Sequence, residues 1–222
     1  MKSLTFFTFA LLLMMIFHVN AVALTWDFEK QAQLDNWKAI NGTWEIEKGQ
    51  LKGTLGPDYM GIVCIFEGSE DWADYTFEAK TTVAEGKYTY WMARVQPDPL
   101  SYYAFERSHS NSATIWRRDK GQHAKLMAGP ALQPGHLETH LWKMEVKGDQ
   151  ISVFLDDKLL VEATDNTYKK GTIGFGGHNM DSATGKNVIL FDDVSVNGPG
   201  IPASLSVSPR GKLALTWGEM KK

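Results

Sequence analysis

Past residue 23, hydrophobic and polar residues alternate with a period close to two along nearly the whole chain. The alternating runs are short, rich in β-branched and aromatic residues, and separated by glycine, proline, asparagine and aspartate. Because strand side chains point alternately to opposite faces, this pattern predicts on the order of a dozen strands. No stretch past residue 23 has the period of a long amphipathic helix, so the prediction is an all-β sandwich of two antiparallel sheets.

Two tight hairpins are predicted from their turn residues. Lys48-Gly49 separates the runs WEIE and QLKG, and Asp156-Asp157 separates QISVFL and KLLVEA. A two-residue hairpin turn needs positive φ at its central positions, which glycine and aspartate adopt at low cost. Each turn is therefore expected to set the register of its two strands.

The first 23 residues have a different pattern. Lys2 precedes an apolar run over residues 4–17, and Ala21-Val22-Ala23 provides the small residues that a signal peptidase accepts. We predict a signal peptide over residues 1–23, cleaved near Ala23, and hence a secreted or periplasmic protein with no stable membrane span. An uncleaved anchor is the alternative.

The end of the chain also differs in composition. Residues 24–197 are predicted to form one β-sandwich domain, and residues 198–222 a linker and tail that begins rich in proline, glycine and serine. The tail regains apolar residues at Leu213, Leu215 and Trp217. The tail can dock on the sandwich, dock on a protein partner or form a frayed end, and the sequence leaves these three alternatives open.

The net charge and the cysteine content limit the partners and the covalent cross-links that this protein can have. The 222 residues carry a formal net charge of −3, which argues against nucleic acid as the partner. Cys64 is the single cysteine, so an internal disulfide is excluded and packing must supply the stability. We expect a buried, structural thiol.

The glycine-rich segment from Tyr168 to Met180 invites comparison with a phosphate-binding loop. Its glycines lack the dinucleotide spacing, no helical period follows them, and no Gly-Lys-Ser/Thr occurs at the P-loop offset. The segment TIGFGG is instead predicted to be a strand whose glycines allow close backbone approach. Whether His178 and Asn179, at its exit, lie in solvent or reach a binding groove is left open.

Several segments, in their order, resemble jelly rolls of the concanavalin A-like lectin/glucanase superfamily. Among these, the chain is most similar to laminin-G-like domains and to the 3-keto-disaccharide hydrolase family. The matching segments are residues 27–29 (DFE), 42–53 (GTWEIEKGQLKG), 74–79 (DYTFEA), 92–106 (MARVQPDPLSYYAFE), 141–160 (LWKMEVKGDQISVFLDDKLL) and 191–196 (FDDVSV). The resemblance implies a two-sheet antiparallel jelly roll.

The resemblance also implies a candidate calcium site. Similar carbohydrate-binding jelly rolls often hold a structural calcium between DFE-like and DDV-like strands, which points to Glu29, Asp192 and Asp193 as oxygen ligands. Strict alternation along NVILFDDVSV would place a carboxylate on an apolar face, where it needs a partner. Backbone hydrogen bonding or a solvated sheet edge is the alternative, and no cofactor is expected to be required.

Catalytic carboxylates are less well supported. The Glu-x-Asp-x-x-Glu strand of the glucanases with this fold is absent from the sequence, although glycoside hydrolysis commonly needs two carboxylates. The similar hydrolase family usually has an Asn-Ser-Gly-like segment where this chain has GKYTYWMARVQ. Enzymatic activity is therefore uncertain and binding is favoured; Glu106 is the candidate if the protein is a hydrolase.

An aromatic and basic cluster carries the functional prediction. Alternation places Tyr90 with Arg94, Tyr103 with Arg107, and Trp116 with Arg118 on shared strand faces. Rings that stack on sugar faces and arginines that donate to hydroxyls are typical of carbohydrate sites. These six residues are predicted to bind a carbohydrate or glycoconjugate; the alternatives are a hydrolase of (3-keto-)disaccharides and a structural or protein-binding domain.

Overall fold

The computed structural model describes residues 23–56, 58–86, 88–108, 112–132, 138–178 and 185–203. The predicted signal peptide up to residue 22 and the tail from residue 204 lie outside this part. The described residues form fifteen strands and two short 3-10 turns, Gln31–Asn36 and Ser69–Asp71. None of the helical segments described is long and apolar enough to cross a membrane.

The strands follow one another along the chain with mostly short connections. They are β1 (Leu24–Trp26), β2 (Trp37–Ala39), β3 (Thr43–Glu47), β4 (Gln50–Leu55), β5 (Met60–Cys64), β6 (Tyr75–Glu85), β7 (Tyr88–Val95), β8 (Tyr102–Arg107), β9 (Ser112–Asp119), β10 (Gln122–Ala131), β11 (Thr139–Lys147), β12 (Gln150–Leu155), β13 (Lys158–Thr164), β14 (Thr172–His178) and β15 (Asn187–Asn197).

These strands build two antiparallel sheets, as predicted. The eight-stranded sheet has the order β13-β12-β11-β6-β15-β4-β3, with β1 paired to β15. The seven-stranded sheet has the order β10-β9-β8-β7-β14-β5-β2. Because neighbours in space are often distant in sequence, the arrangement is a jelly-roll sandwich rather than a simple meander.

The main core lies between the two sheets and is rich in aromatic rings. Phe175 of β14 stacks on Phe191 of β15 with ring centroids 4.2 Å apart, and Trp91 of β7 meets Trp142 of β11 at 4.8 Å. Each pair joins one sheet to the other. Cys64 is a buried free thiol in this core, as predicted, and burial raises its pKa to about 11.

The turn chemistry behaves as the sequence predicts. Lys48 and Gly49 have φ of 53° and 74°, and Asp156 and Asp157 have φ of 47° and 62°, so both hairpins carry left-handed turn residues. The Lys120-Gly121 turn between β9 and β10, with φ of 48° and 83°, is of the same kind. That third turn was not predicted.

Bulges break the alternation at two positions where the sequence analysis assumes it. In β7, Ala93 packs in the core between the sheets and Val95 on the opposite face, because Arg94 between them has φ of 48°. In β15, the register shifts between Asp192 and Ser195, and Asp193 has φ of 47°. The buried residues Phe191 and Val194 therefore flank the two aspartates, which leave the apolar face.

The glycine-rich segment is a strand, as predicted, and it lies near the middle of the seven-stranded sheet. Gly174 of β14 pairs with Val63 of β5 on one side and Met92 of β7 on the other. A Cβ at Gly174 would come within 2.7 Å of the Ile62 carbonyl oxygen and 2.8 Å of the Met92 methyl group. Glycine here permits the close packing of the three strands.

Candidate functional site

A polar and aromatic cluster lies on the outer face of the seven-stranded sheet, away from the main core. Tyr90 is directly opposite Glu106 across β7 and β8, and Glu106 is opposite Thr114 of β9. On the same strands, Trp91, Phe105 and Ile115 point into the main core. Since alternate residues take opposite faces, Tyr90, Glu106, Trp116 and Arg118 share the outer face. Together with Tyr59, His123 and His178, we call this cluster the outer-face site.

Tyr59, just before β5, lies across the outer-face site. Its ring centroid is 4.7 Å from that of His178, 5.2 Å from His123 and 6.0 Å from Tyr90. The Tyr59 side chain is also 44% exposed, whereas Tyr90 beneath it is 2% exposed. The rings therefore form a partly open aromatic surface over the strands.

Arg118 is the main positive group of the outer-face site. Its guanidinium carbon lies 3.9 Å from the centroid of the Tyr59 ring and 5.7 Å from that of Tyr90, and its Nη1 lies 2.6 Å from His123 Nε2. Burial, and then the charge of Arg118, lower the pKa of His123. A neutral His123 can accept a hydrogen bond from Arg118, whose side chain is buried beneath the Tyr59 ring.

Glu106 is the negative group of the outer-face site. Burial raises its pKa, while Tyr90, Arg118, Trp116 and Lys125 act to lower it. Among these effects burial is the largest. The carboxylate is therefore held in a poorly solvated position, where a hydroxyl donor from a ligand would be favourable.

Two buried hydrogen-bond donors are directed at Glu106. The Tyr90 hydroxyl and the Trp116 indole nitrogen both act on its carboxylate as hydrogen-bond donors and lower its pKa. Neither donor reaches a hydrogen bond of ordinary length and angle with the described residues. The carboxylate is therefore only weakly bonded by its neighbours, and a ligand hydroxyl would add a further hydrogen bond to it.

Arg94, predicted as a ligand-binding residue, is placed elsewhere by the bulge in β7. Its guanidinium, 1% exposed, donates to the carbonyl oxygens of Ala73 (2.9 and 3.0 Å), Gly148 (2.8 Å) and Tyr168 (2.9 Å). Its Nη2 also lies 3.4 Å from the Asp74 carboxylate. The expectation that Arg94 shares a face with Tyr90 is wrong, and its observed contacts are structural.

Tyr103 and Arg107 share a face, as predicted, but that face is the inner one. Tyr103 is fully buried in the main core, where its hydroxyl donates to Asp165 (2.7 Å) and accepts from the Tyr168 amide (3.0 Å). Arg107 is also buried, and burial lowers its pKa. Of the six predicted binding residues, the structure therefore brings together Tyr90, Trp116 and Arg118.

The predicted calcium ligands do not form a ligand set. Asp193 pairs with Lys80 at 2.6 Å, and Asp192 accepts a hydrogen bond from the Asp193 amide. Among the described residues, which include Glu29, no group of three or more His, Cys, Asp or Glu side chains is arranged to hold a metal ion. Calcium binding by Glu29, Asp192 and Asp193 stays a prediction, and the observed arrangement of these residues does not favour it.

Tyr59, His123 and His178 were not assigned to the site from the sequence, and Glu106 was named only as a candidate catalytic residue. Tyr59 lies in the short connection that crosses from β4 of one sheet to β5 of the other, and His123 follows an unrecognised turn. His178, which the sequence left open, is buried and stacks on Tyr88 with centroids 4.0 Å apart. Recognition of the Lys120-Gly121 turn would have placed His123 opposite Arg118, as observed.

Comparison with known proteins supports the fold assignment. No protein-family model matches the chain. A levanase from Bacillus subtilis (strain 168) is 24% identical over 147 residues, which are 64% of this chain and 21% of that protein. The chain therefore spans about a fifth of the length of this relative.

Solved structures with the same fold cover most of the described chain. A carbohydrate-binding module (CBM66) from Bacillus subtilis matches with a TM-score of 0.63 and 18% identity, over 73% of this chain and 96% of that one. A β-glucanase from Bacillus licheniformis matches with a TM-score of 0.62 and 10% identity, over 81% and 99% of the two chains. The chain has the concanavalin-like jelly-roll fold.

Proposed function

We propose that the protein binds a carbohydrate on the outer-face site. Tyr59 and Trp116 provide ring faces for stacking on a sugar, and Arg118 provides donors for its hydroxyls. Glu106 accepts from a hydroxyl, and the Tyr90 hydroxyl and Trp116 N–H complete the polar contacts. The similarity to a carbohydrate-binding module and to glycan-acting enzymes supports the same class of ligand.

The observation that carries the proposal is the half-exposed Tyr59 ring, which packs against Arg118 and Tyr90 on the sheet face that holds Glu106. The Tyr90 hydroxyl and the Trp116 indole nitrogen are donors to the Glu106 carboxylate, and neither bonds it with ordinary length and angle. A sugar presents several hydroxyls within a few ångströms of one another. One such ring could satisfy both donors and the carboxylate at once.

The distribution of carboxylates favours binding over hydrolysis. In the strands of the seven-stranded sheet, the acidic residues are Glu106 and Asp119. Asp119 is exposed at the end of β9 and alternates with Arg118, so it belongs to the other face. Glycoside hydrolysis commonly uses two facing carboxylates. On these strands Glu106 can be one of the pair, and there is no second carboxylate facing it.

The predicted export agrees with this function. A sugar-binding domain that meets polysaccharides or glycoconjugates works outside the cytoplasm, where the sequence-predicted signal peptide would direct this chain. Secretion, or export to the periplasm, is part of the same proposal.

A glycan array with and without calcium, followed by calorimetry on retained glycans, tests the proposal. The isosteric substitution Glu106→Gln should weaken binding by about tenfold or more, since it removes a charge-assisted hydrogen bond. The matched control is Glu162→Gln, which changes an exposed carboxylate on the eight-stranded sheet and should leave affinity unchanged. Equal affinities for both variants, or no retained glycan, would overturn the assignment.

A further inference from the structure

A cavity of about 520 Å³ opens at the edge of the seven-stranded sheet where β5, β14 and the end of β7 meet. Its wall is largely apolar, with contributions from Ile40, Val63, Ile65, Phe66, Val95 and Pro99. Cavities of 300–1,000 Å³ with mainly hydrophobic linings are typical of sites for small organic groups. Nothing in the proposed sugar contacts uses this cavity.

The cavity is continuous with the outer-face site. Ile40, Val63 and Pro99 also line a smaller depression on the sheet, whose other wall includes Tyr59 and Tyr90. Those two tyrosines belong to the outer-face site, with ring centroids 6.0 Å apart. An apolar path therefore runs from the cavity to the aromatic and charged cluster; we call it the apolar groove.

Exposed hydrophobic side chains are concentrated along the apolar groove. Six large hydrophobic residues of the described chain are strongly exposed, and four of them line these two depressions. The four are Ile40 (37% exposed), Tyr59 (44%), Ile65 (51%) and Leu100 (54%). A contiguous exposed apolar surface is unfavourable in water, so its concentration beside a polar site suggests an apolar part of the same ligand.

Charged residues also line the cavity. Lys38, Glu67 and Glu70 contribute to its lining beside the apolar wall, and Lys38 of β2 lies opposite Val63 of β5. An uncharged apolar chain or ring fits the largely apolar wall.

We propose that the ligand is an amphiphilic glycoside, whose sugar occupies the outer-face site and whose apolar aglycone lies in the apolar groove. This inference rests on the proposed sugar binding and adds the class of glycoconjugate. Contact with both surfaces makes the affinity depend on the aglycone as well as on the sugar.

The test compares methyl and octyl β-glycosides of glucose, galactose and N-acetylglucosamine by calorimetry, below their critical micelle concentrations. For at least one sugar, the octyl glycoside should bind about tenfold or more tightly than the methyl glycoside, because it buries an alkyl chain. Octyl tetraethylene glycol ether, which lacks a sugar, is the apolar control and should bind more weakly than the octyl glycoside.

Substitutions in the apolar groove test whether the alkyl chain lies there. Leu100→Ser and Ile65→Ser should each reduce the advantage of the octyl glycoside severalfold, whereas methyl glycoside binding is unchanged. Leu159→Ser is the matched control, since Leu159 is 53% exposed on the other sheet and should have no effect.

Each contrary outcome has a distinct meaning. Equal affinities for methyl and octyl glycosides would overturn the aglycone inference and leave sugar binding standing. Equal affinities for octyl glycoside and octyl ether, unaffected by Glu106→Gln, would overturn the sugar contacts as well. A dimer that buries Leu100 in sedimentation experiments would assign the groove to a second copy of the chain, and binding of no probe would overturn the inference outright.

Discussion

For Glu106, the sheet face on which the side chain lies follows from alternation along its strand, whereas its pKa depends on residues of neighbouring strands. Its position on the outer face follows from the period of β8, in which Phe105 points inward. Its raised pKa follows from burial beside Tyr90 and Trp116, which come from two other strands. The sequence could predict the first property, because it is local, and not the second.

The pKa of Glu106 leads to a prediction about pH. A carboxyl group with a raised pKa takes up its proton at a higher pH than an ordinary one, so sugar affinity should be present at neutral pH and fall on acidification. The fall should begin above pH 4.5, the ordinary value for glutamate. The other titratable groups around it are Arg118, Lys125, His123, His178, Tyr59, Tyr90 and Tyr102.

Calorimetry from pH 4 to pH 8 checks this expectation. In Glu106→Gln the fall in sugar affinity at acidic pH (the acid limb of the profile) should disappear, because glutamine does not titrate. The affinity of this variant at neutral pH should also be lower than that of the wild type. The Glu162→Gln control should keep the wild-type profile. An acid limb that persists in Glu106→Gln would assign the titration to one of the histidines instead.

At the scale of strands, regular alternation and turns were predictable and bulges were not. The positive φ values of Lys48-Gly49 and Asp156-Asp157 confirm predictions made from turn residues alone. The bulges at Arg94 and Asp193 reverse the faces that alternation assigns to these residues. A bulge has no strong local signal here, because it is stabilised by contacts with distant segments.

The bulge in β7 places Arg94 where its side chain acts as a clamp, holding three connecting segments together. Its guanidinium joins the segment before β6, the β11–β12 turn and the segment before β14 through Ala73, Gly148 and Tyr168. Arg94→Lys should lower the free energy of unfolding by about 2–4 kcal/mol, because a lysine ammonium cannot match this planar set of donors and leaves buried carbonyls unpaired.

Urea denaturation measures this loss. Arg117→Lys is the matched control: Arg117 is 31% exposed and pairs with the largely buried Asp165, and a lysine can keep this ion pair, so its replacement should cost less than that of Arg94. A loss below about 0.5 kcal/mol for Arg94→Lys would contradict the role as a clamp. Loss of sugar binding without loss of stability in Arg94→Lys would instead show that Arg94 contributes to ligand binding.

At the scale of the whole molecule, the fold was more predictable than the site. Short alternating runs, repeated along the chain, predicted an all-β sandwich, and the resemblance of the ordered segments to a known superfamily implied the jelly roll. The outer-face site combines Tyr59, Tyr90, His123 and His178 from four separate segments. Its composition depends on which strands are neighbours, and the alternating pattern alone does not specify this.

The single cysteine provides a measure of whole-molecule opening. Cys64 is 1% exposed and its pKa is raised to about 11 by burial, so it should react with a thiol reagent at pH 8 only through unfolding. Because the folded pKa lies above the ordinary value of 9.0, its contribution to stability should be lost as pH rises from about 9 to 11.

The rate of Cys64 labelling against denaturant concentration is the measurement. It should rise in parallel with global unfolding followed by tryptophan fluorescence, and Cys64→Ser should show no labelling. Rapid labelling that does not depend on denaturant would instead reveal local opening of β5, on the wall of the apolar groove.

The strands β7, β8 and β9 have the main core on one face and the outer-face site on the other. Trp91, Phe105 and Ile115 contribute to the first, and Tyr90, Glu106 and Trp116 to the second. Mutations at alternate positions can therefore change ligand preference while the residues that stabilise the sandwich are inherited intact. Descendants of such a chain could diversify in what they recognise along these strands without first acquiring a new fold.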